Sequence, residues 1–153
     1  MKIWRKITSV LLGACFATSL YSGCASAEAI VVTTAGQLST AVAAGDDVTL
    51  GADISLSSTL YVNKTINLDL NGHTLSTGSN TIFPYNSSTL TISDSGDGGT
   101  IYGTATYPIQ VGGSGYTATV ILESGKIVGN SKAVRVLGGE FIMNGGEISA
   151  PGS

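Results

Sequence analysis

From Thr65 to Leu75 hydrophobic and polar positions alternate. Ile66, Leu68 and Leu70 fall on one side and Asn67 and Asp69 on the other, before an Asn71-Gly72 turn and a restart at Thr74-Leu75. The phrase returns three times: Leu90-Thr-Ile-Ser-Asp leading to Gly99-Thr-Ile101, Val120-Ile-Leu-Glu-Ser-Gly-Lys-Ile127, and Phe141-Ile-Met-Asn-Gly-Gly-Glu-Ile148. Its turn glycines Gly72, Gly99, Gly125 and Gly146 stand 27, 26 and 21 residues apart. Period-two alternation marks half-buried strands. A strand–glycine–strand unit recurring every 20–30 residues marks a solenoid of stacked β coils.

The remaining pattern fits that frame. Ile30–Thr33 is a short β run. Thr34-Ala-Gly-Gln37 has capping-box spacing, with Gln37 placed to reach back to the amide of the Thr34 N-cap. Leu38, Ala41 and Val42 then share a helical face, and Gly45 can end the helix. The expected helix, 35–44, is too short to be stable alone, so it should lie on the open end of the coils as an N-terminal cap. From residue 46 onward the runs are three to six residues long, β-branched and bounded by Gly, Asn, Asp or Ser. They are expected at Val48–Leu50, Asp53–Leu56, Thr59–Val62, Thr65–Leu70, Thr74-Leu75, Thr81–Phe83, Thr89–Ser93, Thr100–Tyr102, Tyr107–Val111, Thr117–Leu122, Lys126–Val128, Ala133–Leu137, Glu140–Met143 and Glu147–Ser149. Ser76–Asn80 is expected to be a polar loop, Pro84 to stop its strand, and Gly112–Gly115 to be a flexible outward bulge. An antiparallel sandwich would carry similar strands, but the recurring turn phrase favours the solenoid. About four to five coils are expected, each rising about 4.8 Å.

Residues 1–27 stand apart. Met1–Lys6 is basic, Ile7–Leu20 is apolar but short for a membrane span, and Ala25-Ser-Ala27 fits a signal-peptidase site. Export is expected. Leu20-Tyr-Ser-Gly-Cys24 also approaches a lipobox, so anchoring through a lipidated Cys24 is the alternative address, and membrane attachment is expected only in that case. Both cysteines, Cys15 and Cys24, lie in this segment. A chain cleaved after Ala27 would have no disulfide and would depend on ladders and packing for rigidity. The expected organisation is a signal peptide over 1–27, a strand and cap helix over 28–45, and coils over 46–153.

Charge narrows the partners. Residues 28–153 hold all ten acidic residues against Lys64, Lys126, Lys132 and Arg135, a formal charge of −6. Nucleic acid requires a basic footprint, and none is present. No cofactor is expected.

Val48–Leu56 ("VTLGADISL"), Leu68–Leu75 ("LDLNGHTL") and Gly98–Gly103, following the Thr34–Gly45 helix, resemble the start of bacterial surface proteins with right-handed parallel β-helix, or pectin-lyase-like, domains. Shorter echoes fall at Gly125–Gly129 and Gly145–Ser149. The resemblance covers nearly all of the chain after residue 27 and implies a right-handed parallel β-helix. It is specific for fold and weak for activity, because one scaffold carries lyases, hydrolases and adhesins.

No catalytic, cofactor or metal set is assigned from the sequence. Asp69 should point outward as a solvated residue. Asp94 and Asp97 sit in a glycine turn where a Ca²⁺ could share them, although a plain turn is the simpler reading, as it is for Asp46-Asp47. His73, the only histidine, has no second histidine or cysteine for a transition metal and reads as a corner residue. Arg135 could meet an anionic sugar, with a plain surface charge the simpler reading. Tyr61, Tyr85, Tyr102, Tyr107 and Tyr116 could stack on sugars, but core or corner packing is expected for most of them. The Gly145–Ser149 phrase is a coil like the others, so the last coil is expected to continue in further chain or to be covered by a partner. The expected function is a non-catalytic module of an exported bacterial surface protein, acting as stalk, adhesin or glycan-binding scaffold on extracellular or cell-wall polysaccharide. A pectin-lyase-like lyase or hydrolase is the rival.

Overall fold

The computed structural model describes residues 28–104 and 107–152. The expected signal peptide and both cysteines lie outside the described residues. After β1 (Ile30–Val32) and α1 (Ala35–Ala44), each coil lays down three strands. The first coil is β2 (Val48–Leu50), β3 (Ile54–Ser55) and β4 (Leu60–Val62). The second is β5 (Ile66–Asp69), β6 (Thr74–Gly78) and β7 (Ile82–Pro84). The third is β8 (Ser88–Ser93), β9 (Thr100–Gly103) and β10 (Ile109–Val111). The fourth is β11 (Ala118–Leu122), β12 (Lys126–Gly129) and β13 (Val134–Val136), and β14 (Gly139–Met143) and β15 (Glu147–Ser149) follow. Every pairing between these strands is parallel, and the strands sort into three sheets: β1-β2-β5-β8-β11-β14, β3-β6-β9-β12-β15 and β4-β7-β10-β13. The chain is a parallel β-solenoid of about four turns.

In-register stacking turns the alternation of one strand into columns. Ile54, Leu75, Ile101, Ile127 and Ile148 form one inward column. Val48, Leu68, Ile92, Leu122 and Met143 form a second, and Leu60, Ile82, Ile109 and Val134 a third. Most of these side chains are fully buried, and each buried Leu or Ile contributes about 1.5–3 kcal/mol. Toward the last coil the columns come to the surface, with Met143 and Ile148 exposed. At the other end α1 places Leu38, Ala41 and Val42 on the core.

Several local expectations are revised. Thr34 Oγ1 accepts from Gln37 N, but Gln37 Oε1 accepts from the Thr33 amide and not from that of Thr34. The box is thus closed one residue early, and Gln37 ties the incoming strand to the helix. Ser76–Gly78 is strand, not loop, because Thr77 turns inward, is fully buried, and donates to the Tyr102 carbonyl. Gly112–Gly115 belongs to a closed hairpin in which Gly113 and Tyr116 exchange main-chain bonds. A side chain at Gly112 would collide with the Gly138 and Tyr116 carbonyls, so the segment is packed.

The corners are held by carboxylates. Asp47 accepts from Asn67 N (2.7 Å) and Asn67 Nδ2 (2.9 Å) of the next coil. Asp69 faces outward but is not simply solvated: it accepts from Asn71 N, Ser95 N and Ser95 Oγ. Asp94 accepts from Gly72 N and Gly99 N, both at 2.7 Å, while its own amide donates to Ser124 Oγ. Hydrogen bonds to an ionised acceptor are the strong class, and three successive coils are joined through them. Asp94→Ala should lower unfolding free energy in urea by about 1.5–3 kcal/mol. Asp97→Ala, at an exposed turn position, should change it by less than about 0.5 kcal/mol. Equal effects would refute the corner role.

Candidate functional site

On the sheet β4-β7-β10-β13 the outward positions of β4 and β7 carry aromatic rings. Leu60 and Val62 point inward, so Tyr61 points out, and it pairs in register with Phe83 of the next coil. Tyr85 lies two residues beyond Phe83, on the same side of the chain. Ring centroids are 5.9 Å apart for Tyr61–Phe83, 6.0 Å for Tyr61–Tyr85 and 5.7 Å for Phe83–Tyr85. Phe83 and Tyr85 are parallel, with planes within 5°, and Tyr61 stands nearly perpendicular to both. Tyr116 joins edge-on to Tyr85 at 6.0 Å. Tyr61 is 59% exposed and Tyr116 50%.

Two tight turns place the outer rings. Ser88 N donates to Tyr85 O, and Asn86 and Ser87 between them both have positive φ, 56° and 58°. That is the sign pattern of a type I′ turn, which favours Asn first and Gly second. Ser87 occupies the glycine position and is tied to Thr117 through its amide. The Gly113–Tyr116 hairpin, with Gly115 at φ 83°, brings Tyr116 back over Tyr85.

The row continues past the rings. Gln110, next to Ile109 which pairs with Ile82, stands beside Phe83, and it pairs with Arg135. Arg135 Nη1 donates to Tyr107 Oη at 2.6 Å, and the guanidinium carbon is 5.2 Å from that ring's centroid, within cation–π range. Tyr107 thus fixes a side chain expected to be a free surface charge. None of these five tyrosines enters the core: Tyr61 and Tyr102 point outward from their strands, while Tyr85, Tyr107 and Tyr116 pack against neighbours at the corners, where corner packing was expected.

The other candidates sit elsewhere. His73 Nδ1 is 3.5 Å from Asp53 Oδ1, which also accepts from Thr74 N. A cleft of about 380 Å³ at the glycine corner brings Asp94 and Asp97 together with Lys126, Glu147 and Ser124. In it Asp94 is engaged by main-chain amides, and Lys126 pairs with Glu147 at 3.3 Å. Among the described residues no group of three or more His, Cys, Asp or Glu is placed to hold a metal ion. A larger groove, about 560 Å³, lies between β1 and α1, lined by Ile30, Val31 and small helix residues, with Asp46 as its one titratable side chain.

No protein-family model, no curated protein and no solved structure matches this chain.

The aromatic face escaped the sequence reading because its rings come from three different coils. The signal was present in Leu60-Tyr-Val62 and Ile82-Phe-Pro-Tyr85, once the two strands are set in register. Ser87→Gly should raise stability by about 0.5–1 kcal/mol, because relief of about 1–2 kcal/mol of left-handed strain exceeds the entropic cost of the new glycine. Thermal unfolding measures it. A fall in stability would mean that Ser87 is not strained.

Proposed function

We propose that this chain is a non-catalytic, glycan-binding β-helix module of an exported bacterial surface protein of the pectin-lyase-like kind. The polysaccharide lies on the aromatic face of β4, β7, β10 and β13. The observation that carries this reading is the cluster of Tyr61, Phe83, Tyr85 and Tyr116 on one side of the solenoid, with two rings half or more exposed. Exposed rings are costly to leave in water without a role, and they match the apolar faces of sugar rings. The face offers Tyr hydroxyls, the Gln110 amide and the Arg135 guanidinium at its margin for sugar hydroxyls. A rigid solenoid that holds such a face away from its own attachment suits an adhesin or stalk.

One observation favours the catalytic rival. The glycine-corner cleft gathers Asp94, Asp97 and Glu147 with Lys126, the kind of acid–base set that a polysaccharide lyase or hydrolase uses. Asp97 is its uncommitted carboxylate, since Asp94 and Glu147 have partners.

A glycan array read with the protein and with Tyr61→Ala separates the two. Specific glycan binding that falls at least ten-fold in Tyr61→Ala, without product release, is expected. Turnover of the bound polysaccharide that disappears in Asp97→Asn would move the function to the cleft.

A further inference from the structure

We infer that a second copy of this chain covers the last coil, end to end, as a closed two-fold dimer. Among the described residues β13, β14 and β15 each pair with one strand only, β10, β11 and β12 respectively. At the opposite end the inward side chains of the first coil, Val48, Leu50, Ile54, Leu60 and Val62, are buried. On the last coil the inward Val136, Met143 and Ile148 are 47%, 49% and 37% exposed. Free strand edges with an apolar interior behind them are a template for further strands. Because α1 and β1 cover the other end, two copies can stack only through like ends. Such a contact closes on itself and does not grow into a fibre.

The last coil has the symmetry that this contact needs. Phe141 is the middle residue of β14, and the inward Val134 and Ile148 lie seven residues before it and seven after it. In the coil beneath, the equivalent Ile109 and Ile127 lie 11 and seven residues from Val120, so the equal spacing is particular to the last coil. A two-fold axis through Phe141 runs β14 antiparallel to its own copy, and β13 antiparallel to β15 of the second copy. On a steadily climbing coil β13 lies as far below β14 as β15 lies above it. The axis therefore brings all three edges to the pairing distance of about 4.8 Å together.

Main-chain direction and charge agree with this register. The amides of Leu137, Asn144 and Glu147 donate to Val111, Leu122 and Gly125 of the coil beneath. Main-chain groups alternate along a paired strand, so those of Val134, Phe141 and Ile148 point to the free edge. Across the axis Phe141 faces itself and Val134 faces Ile148. Each pair can exchange two hydrogen bonds while its side chains continue the core. The same register sets the outward Arg135 opposite the outward Glu147 of the second copy, twice by symmetry. Opposite charges directly across antiparallel strands stabilise the pairing. A shift of two residues would preserve the faces but set Arg135 against Ser149 or Gly145, with no charge to meet. Within their own chain Arg135 and Glu147 have Tyr107 and Lys126 as partners, and both remain exposed.

Sedimentation equilibrium of the protein over a concentration series tests this. The expected result is a monomer–dimer equilibrium with nothing larger. Arg135→Glu and Glu147→Arg should each weaken the dimer about ten-fold or more, because each sets two like-charge pairs in the contact. Combining the two should restore the dimer, which separates a lost contact from a lost fold. A monomer at every concentration, its last coil left to further chain or to a different protein, would overturn the inference. So would assembly beyond the dimer, or any response other than loss in both single variants and recovery in their combination.

Discussion

Everything in this molecule depends on parallel, in-register stacking. Apart from one bulge, at Ser76–Gly78 against β9, the strands pair without a slip, so a residue's direction in one coil becomes its direction in the next. Ile54, Leu75, Ile101, Ile127 and Ile148 are one side chain written five times. A shift of one residue would turn a whole coil inside out, so the aliphatic columns enforce the register that creates them. Neither the corner carboxylates nor the aromatic row could form without it.

The corners perform a different task from the core. Three faces around one axis require sharp changes of direction, and those leave main-chain amides without strand partners. Asp47, Asp69 and Asp94 receive such amides from their own or a neighbouring coil. Glycine supplies the conformations that the turns need and the space for close approach. A Cβ on Gly96 would come within 2.5 Å of the Gly72 nitrogen.

The solenoid was legible because it is written in local periodicity. Leu68-Asp69-Leu70-Asn71-Gly72 announces both a strand and its corner, and its repeats announce the stack. The helix over Ala35–Ala44 was equally plain, since Thr34 and Gly45 bracket an amphipathic face. The role of Asp69 was hidden because its partner Ser95 is 26 residues away. The aromatic face was hidden for a related reason. Its members are distributed over three coils, and unequal coil lengths conceal which residues align. Thr77 misled through its polarity: a hydroxyl that finds the Tyr102 carbonyl can enter the core.

Those unequal lengths have a further meaning. Matching positions on the first sheet are 20 residues apart between β2 and β5, yet 30 apart between β8 and β11. Of the ten added residues, five fall at the corner around Tyr116, three at the Asp94–Gly99 corner and two near Tyr107, all outside the aliphatic columns. The solenoid thereby separates what must be uniform from what is free to differ. A coil can lengthen at one vertex, acquire a ring, and leave the packing above and below undisturbed. Specificity on such a scaffold can change by insertion, one vertex at a time, without renegotiating the fold.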